Sequence, residues 1–417
     1  MSHRASLLAA LAVAGTILTS SCSHPADPQP AQTALTELPR SLSGAEEKVL
    51  GAANDLTFAL FRRLNDAQRG ANVFVSPLSA SMALGMTMNG ASGTTFDEMR
   101  AALGFGGASQ DEINRGYAGL IELLRGLDPS VTFQIANAVW YRSTFPFHQS
   151  FFETVRDPFG AEVQGLDFAS PAAVATINNW VSDRTKGKIP TILEEVRRDD
   201  VMYLINAIYF NGSWRSRFDP ARTESAQFRA ANGVTQPVRL MHAQRLMRYL
   251  ETSQFQAVDL PYGRDAFAMT VILPREGTDI ESLASTLGRG QWNDWTGQFH
   301  DREVNLYLPK LKLAYERGLI GDLQALGIHD AFVPGGADFT RMSPAGRELF
   351  ISIVKQKTYV DIHEEGTEAA AVTVVGIGVT SVPSVPTMRV DRPYLIAIRE
   401  RLSGTILFIG KIVSMPS

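Results

Sequence analysis

An α+β fold around a buried central sheet is what this sequence predicts, on three observations. Helical patterns come mainly first, and long strand patterns dominate later. Beyond about Leu42 no linker separates the two, so they share one core rather than alternating as βαβ units. The 417 residues are 45% hydrophobic and 20% charged, an ordinary globular composition with ample material for that core. A net charge of -4 gives no reason to expect nucleic acid as a partner.

The first residues stand apart. His3 and Arg4 precede an apolar run from Ala5 to Leu18, too short to span a bilayer and suited to the core of a signal peptide. TSSC follows and ends at Cys22, the single cysteine, where a bacterial lipoprotein precursor presents the cysteine that is lipidated. That signal usually has its leucine three residues before the cysteine; here Leu18 is four before, which leaves an ordinary secretory signal open beside lipidation. Residues 1–22 therefore read as a signal, and 23–41, Pro- and Ala-rich without period, as a flexible tether. Residues 42–417 read as one folded domain. The expected location is outside the cytoplasm, either as a cell-envelope lipoprotein anchored to the membrane at Cys22 or as a secreted, extracellular protein. With Cys22 lipidated, the domain has no thiol and depends on packing alone.

Along the domain, Ala45 to Ala67 carries Val49, Leu50, Leu56, Phe58, Leu60, Phe61 and Leu64 at helical spacing. Ser76-Pro77 opens a second helix, serine as N-cap and proline in the first turn. Its small residues suggest burial against a close neighbour. Ser109 caps a third helix, and a fourth from Pro171 stops near Gly187. Strands are expected in VTFQIANAVWYR, VMYLINAIYFNGSW, FAMTVILPRE, VNLYLPKLKLAY and LFISIVKQKTYVDIHEEG. YLIAIRE and GTILFIGKIV form a C-terminal hairpin.

Enzyme constellations are missing. Seven scattered histidines form no HExxH, and one cysteine cannot build a cysteine-based zinc site. There is no P-loop and no G-x-S-x-G elbow, and Gly104 to Gly107 and Gly376 to Gly378 fall short of a dinucleotide fingerprint. Ser352 to Lys355 matches S-x-x-K, yet it lies in a strand pattern without companion motifs. No metal, no cofactor and no catalytic residue is expected, and the chain is not read as an enzyme.

Six segments, in order, resemble one family, the serpins: NVFVSPLSASMALGMTMNGASGTTFDEM, INNWVSDRTKGKIP, LINAIYFNGSW, LPKLKL with ALGIHDAF, EEGTEAAAVT, and RPYLIAIRERLSGTILFIGKIV. The resemblance spans roughly Ala45 to Pro416. It implies three β-sheets, eight or nine helices and an exposed reactive loop on GTEAAAVTVVGIGVTS, Gly366 to Ser381. It also implies a monomeric, irreversible suicide-substrate inhibitor of serine or cysteine proteases. The target cuts the loop and forms a covalent acyl complex. The loop then inserts into the central sheet before the acyl bond can be hydrolysed.

The loop's composition suits that double life. Alternation puts Thr367, Ala369, Ala371 and Thr373 on one face and Glu368, Ala370, Val372 and Val374 on the other. The resemblance buries the first set, all small or β-branched and uncharged. Glu364, Gly366 and the residues through Thr373 are the implied hinge. The implied scissile bond is Thr380-Ser381, with Val379-Thr380 as the alternative. A small uncharged residue there fits elastase- or subtilisin-like proteases with small S1 pockets. Ser76, Ser79 and Asn206 match the region where the sheet must part, and Trp214 the point where the loop first enters. Gln356 stands where related inhibitors often have histidine, which implies altered opening. The alternative is a serpin-fold binding protein that no longer inhibits.

Overall fold

The structure, a computed structural model, describes residues 33–366 and 385–416. The architecture is α+β, with nine α-helices and three hydrogen-bonded sheets among the described residues. Helix α1 (Gly44–Ala67) starts in a capping box, where the Ser43 hydroxyl and the Glu46 carboxylate each accept from the other's backbone N–H. Arg40 closes its fork on the same carboxylate at 2.8 and 2.5 Å. That hydrogen-bonded guanidinium holds Glu46 down at about 2.

Just upstream, the structure departs from the expected tether. Leu35 and Leu38 pack against the core, and Leu35 N–H donates to the Arg264 carbonyl at 2.6 Å. Residues 33–41 therefore lie against the domain. Two leucines and Arg40 supply contacts that a Pro- and Ala-rich composition hid.

Helix α2 (Pro77–Met88) is buried at nearly every position, as its small residues suggested. Gly85 admits the Tyr117 ring, since a Cβ there would come 2.8 Å from Cε2. Ser76 stands at the N-cap position but does not cap. Its hydroxyl donates instead to the Leu407 carbonyl at 2.7 Å, tying the helix start to the sheet beneath. Helix α3 (Gly93–Ala102) precedes α4 (Gln110–Gly126), which Ser109 caps through the Glu112 N–H. Then come α5 (Gln149–Phe159) and α6 (Ala172–Arg184), followed late in the chain by α7 (Ile280–Thr286), α8 (Arg289–Gly297) and α9 (Ile320–Ala325).

The largest sheet has nine strands. Its order is β1 (Val73–Val75), β14 (Ile406–Ile412), β13 (Tyr394–Glu400), β8 (Phe267–Pro274), β7 (Phe255–Tyr262), β6 (Thr235–Glu251), β9 (His300–Pro309) and β12 (Thr387–Arg389), with β5 (Glu224–Arg229) also on β6. β8, β13 and β14 are buried along their whole length, so both faces are covered. The C-terminal hairpin pairs antiparallel, Tyr394 with Ile412 through Arg399 with Ile406. β6 pairs β5 by its first residues, β9 by its middle and β7 by its last, so one strand carries the sheet around a bend.

The remaining strands form two narrow sheets. One runs β3 (Ala161–Leu166), β2 (Val131–Arg142), β4 (Met202–Gly212); the other pairs β10 (Leu311–Gly318) with β11 (Lys355–Ile362). Two strand expectations change here. VNLYLPKLKLAY is two strands, because the chain leaves one sheet at Pro309 and joins another at Leu311. The strand expected from Leu349 starts only at Lys355, opposite Gly318, since β10 offers no partner to the residues before it. α6 covers one face of β2 and β4 through Ile177, Val181, Trp140, Tyr203 and Ile205. α2 lies on the other face, where Asn206 reaches Met82 Sδ at 3.8 Å.

Candidate functional site: a slot between two strand edges

β4 pairs with β2, and β11 pairs with β10, but no ladder joins β4 to β11 among the described residues. One bridge links them, antiparallel between Ser213 and Gly366, just beyond the C-terminal end of each strand. The two strands therefore run in the same direction and meet at one end, here called the mouth. Below it two cavities lie between them. The upper, about 90 Å³, is lined by Ile208 to Asn211 on one side and by Tyr359, Asp361 and His363 on the other. The lower, about 310 Å³, has Met202 to Asn206 on one wall, Lys355 and Gln356 on the other, and Ser79 and Ala80 of α2 in its floor.

At the mouth the chain reverses. His363 and Gly366 exchange backbone hydrogen bonds at 3.2 Å, a four-residue turn directly after β11. Gly366 has φ +130, and a Cβ there would lie 2.6 Å from both Ser213 Cα and Trp214 N, so no other residue fits without displacement. Within the turn, Glu364 accepts from Lys310 Nζ at 2.7 Å and from the Thr223 hydroxyl at 2.8 Å. Burial pushes its carboxyl up, but those hydrogen bonds outweigh burial and hold it below the usual glutamate value.

Trp214 closes the mouth from the side of β4. Its ring stacks on Tyr262 at 4.4 Å, its Nε1–H donates to the His363 carbonyl at 2.9 Å, and its N–H donates to the Glu365 carbonyl at 3.0 Å. One step further, the Phe218 N–H donates to the Glu364 carbonyl.

At the lower cavity four sequence-predicted residues come together. The Gln356 side chain pairs with the Ser76 backbone in both senses: Nε2 donates to the Ser76 carbonyl at 2.7 Å, and Oε1 accepts from the Ser76 N–H at 3.1 Å. Glutamine's separate donor and acceptor make that two-way contact possible. Beside it, the Thr358 hydroxyl donates to the Phe74 carbonyl at 2.5 Å. Across the cavity, Asn206 Nδ2 donates to Asn137 Oδ1 at 2.5 Å. Its own Oδ1 is shut off from solvent, with no hydrogen-bond partner among the described residues. Ser79 is buried in the floor.

The slot thus has Glu364, Gly366 and Trp214 at its mouth and Ser76, Ser79, Asn206 and Gln356 at its lower end. Thr367, Glu368, Ala369, Ala370, Ala371, Val372, Thr373, Thr380, Ser381 and Cys22 lie outside the described residues. Sequence reasoning passed over Lys310, Thr223, Tyr262 and Asn137. Lys310 alone left a signal, a charge at the Pro309 break between two apolar strand patterns. No group of three or more His, Cys, Asp or Glu side chains among the described residues is placed to share a metal ion.

Residues 51–415 match the family described as Serpin (serine protease inhibitor). The chain belongs to the serpin family. It is 33% identical over 380 residues to leukocyte elastase inhibitor from Equus caballus, covering 88% of this chain and 100% of that relative. It is 34% identical over 377 residues to Iripin-2 from Ixodes ricinus, covering 88% and 94%. Among solved structures it resembles the thermophilic serpin tengpin in its native state, with a TM-score of 0.81, 31% identity, and 91% and 98% of the two chains covered. Human thyroxine-binding globulin complexed with thyroxine also superposes, with a TM-score of 0.82, 29% identity, and coverage of 90% and 100%. Serpins are protease inhibitors as a family, and the complex of thyroxine-binding globulin with thyroxine shows that the fold also serves binding.

Proposed function

We propose that this serpin is an irreversible suicide-substrate inhibitor that traps its protease as an acyl complex by inserting the cut loop into the slot. One observation carries the reading: two parallel strand edges without a common ladder among the described residues, with Gly366 already bridged antiparallel to Ser213 at the mouth. A strand that adds to such edges gains backbone hydrogen bonds on both sides.

Continuing the register from Gly366 opposite Ser213 sets Ala369 opposite Phe210, Ala371 opposite Ile208 and Thr373 opposite Asn206. Directly opposed residues share a face, and Asn206 points toward α2. The small, uncharged set then enters the core, and Glu368 falls on the other face. Thr373 would also bring a hydroxyl to the unpartnered Oδ1 of Asn206. The reactive bond in this reading is Thr380-Ser381 or its neighbour Val379-Thr380, and the target is an elastase- or subtilisin-like protease. The reading includes export, with attachment to the membrane through lipidated Cys22 or free secretion, and a monomer as the acting form.

The test is incubation of the mature chain with an elastase-like and a subtilisin-like protease, followed by a denaturing gel and intact mass. The expected result is a covalent adduct and release of a C-terminal peptide beginning at Ser381. The likeness to thyroxine-binding globulin favours a second reading, a binding protein. Cleavage by both proteases without adduct, and without gain in heat resistance afterwards, would support it.

A further inference from the structure

A recess of about 540 Å³ lies apart from the slot, between the segment following β4, the middle of β6, the end of β7 and the turn after β13. Its walls carry Arg215, Arg245, Arg248 and Arg401, with His300 nearby, against Asp259, Asp265 and Asp301. Two of those aspartates are already engaged. Asp259 is ion-paired with buried Arg399 and accepts from the Thr270 hydroxyl at 2.5 Å; Asp265 is paired with Arg401. Asp301 is exposed.

Three guanidiniums are left without a hydrogen-bonded carboxylate among the described residues. Arg215 reaches the Gly263 carbonyl at 3.5 Å. Arg245 donates to the Arg217 carbonyl at 2.8 Å and lies 5.1 Å from the centre of the Phe218 ring. Arg248 stands 4.0 Å from Asp259, with its Nε shut off from solvent and without a hydrogen bond. Each guanidinium offers five donors, so most of the donors on this wall are unspent. Burial lowers Arg245 to about 10 and depresses Arg248 as well; at Arg248 like-charge repulsion from Arg401 and Arg399 adds to burial, and attraction to Asp259 and Asp265 opposes it without cancelling it. Half-buried cations of one sign are costly to gather unless an anion offsets them.

We propose that this recess binds an organic phosphate, a phosphate monoester held by the forks of Arg215, Arg245 and Arg248. A phosphate monoester carries a charge of roughly -1.5 to -2 at neutral pH, a better match to two guanidiniums without a carboxylate partner and a third held only at 4.0 Å from Asp259 than a singly charged sulfate ester or carboxylate. The recess has room for more than the phosphate group. Leu246, 66% exposed, and Phe299 supply apolar wall for the organic part of the ester. This site is independent of the loop and of protease trapping, so its test does not depend on inhibition.

The experiment is calorimetric titration of the full chain with inorganic phosphate, phenyl phosphate and phenyl sulfate, the singly charged control, at constant ionic strength, with thermal unfolding in parallel. Saturable phosphate binding is expected, tighter for phenyl phosphate, with a matching rise in Tm. Arg215→Gln and Arg248→Gln should each weaken it about tenfold or more, the loss of one charge-assisted fork. Arg215→Gln loses no carboxylate partner and should keep the ligand-free Tm, so it carries the test if Arg248→Gln unfolds. Absence of saturable heat, binding by both variants equal to the parent's, or phenyl sulfate binding as tightly as phenyl phosphate would each overturn the proposal.

Discussion

Ala371→Glu tests the insertion register most sharply. In that register residue 371 faces Ile208, which is buried toward α2, so the new carboxyl must enter the core. Neutralising a glutamate of ordinary pKa about 4.3 at pH 7 costs about 2.7 units, or roughly 3.7 kcal/mol. An unpaired buried carboxylic acid adds about 1–3 kcal/mol. If half of a total near 5 kcal/mol is felt while the loop enters, insertion slows by about 50- to 100-fold. Hydrolysis of the acyl bond should then win, and the protein should be cut as a substrate.

The assay is the ratio of adduct to cleaved chain on a denaturing gel, against Ala371→Ser as a small neutral control. At pH 5 the neutralisation cost falls to roughly 1 kcal/mol, so the variant should regain part of its adduct. Undiminished adduct at pH 7 would refute the register. A loss identical at both pH values would refute the buried-carboxyl argument while leaving insertion standing.

Four further outcomes are expected. Gly366→Ala places a Cβ against Ser213 and Trp214 at a positive φ, and should cost about 2–3 kcal/mol, read as a Tm lowered by roughly 5 °C. Glu364 has a folded pKa below its unfolded value, so its stabilisation is present above about pH 4.3 and is lost as pH falls through the folded value. Glu364→Gln should therefore be weaker at pH 7 by about 1–2 kcal/mol, with the gap to the parent closing in acid denaturation. Gln356→Leu strands the buried N–H and C=O of Ser76 and should cost about 2–3 kcal/mol by chemical denaturation, whereas Gln356→His, able to keep one bond, should cost less. Arg389→Ala removes an ion pair to Glu224 at 2.9 Å and a guanidinium 4.7 Å from the Tyr307 ring centre. It should loosen β12 by about 1 kcal/mol, read as inhibitory activity lost about fivefold faster on warm incubation.

The long apolar elements were legible because one period governs each of them. VTFQIANAVWYR became β2 residue for residue, and Ala45 to Ala67, read from its apolar stripe, became all but the first residue of α1. β6 escaped notice although it is the longest strand among the described residues. Its alternation changes phase at Leu240-Met241, Arg245 takes a position on the inward side, Leu246 is exposed, and Pro237 sits near its start; the reasons lie in neighbouring strands. The same limit applied at the site. Gly366 and Trp214 could be singled out through the resemblance of the short segments that hold them, but the grip of Lys310 on Glu364 joins residues 54 positions apart. Ser76 misled for a related reason: a serine before proline reads as a cap, yet a carbonyl 331 residues away takes its hydroxyl.

Under the proposed mechanism, what keeps the intact loop out of the slot is arithmetic of chain length. One end is fixed at Gly366, already on the first rung. The other is fixed at β12, whose three residues pair parallel with Asn305 to Tyr307 of β9, extended by Asn305 N–H to the Pro386 carbonyl at 2.9 Å. β9 runs up to the mouth end, where β10 begins at Leu311 opposite Ile362, so β12 lies on the mouth side. Eleven residues, 367 to 377, would run the length of β4 to Met202, about 36 Å below. The nine that remain, 378 to 386, reach at most about 32 Å fully extended. They cannot climb back to β12. Full insertion therefore needs either a cut in the loop or the loss of β12 from β9. A protease supplies the first in one step. The second demands that three rungs and the Arg389 contacts open together, so the retained state is only as durable as that short strand.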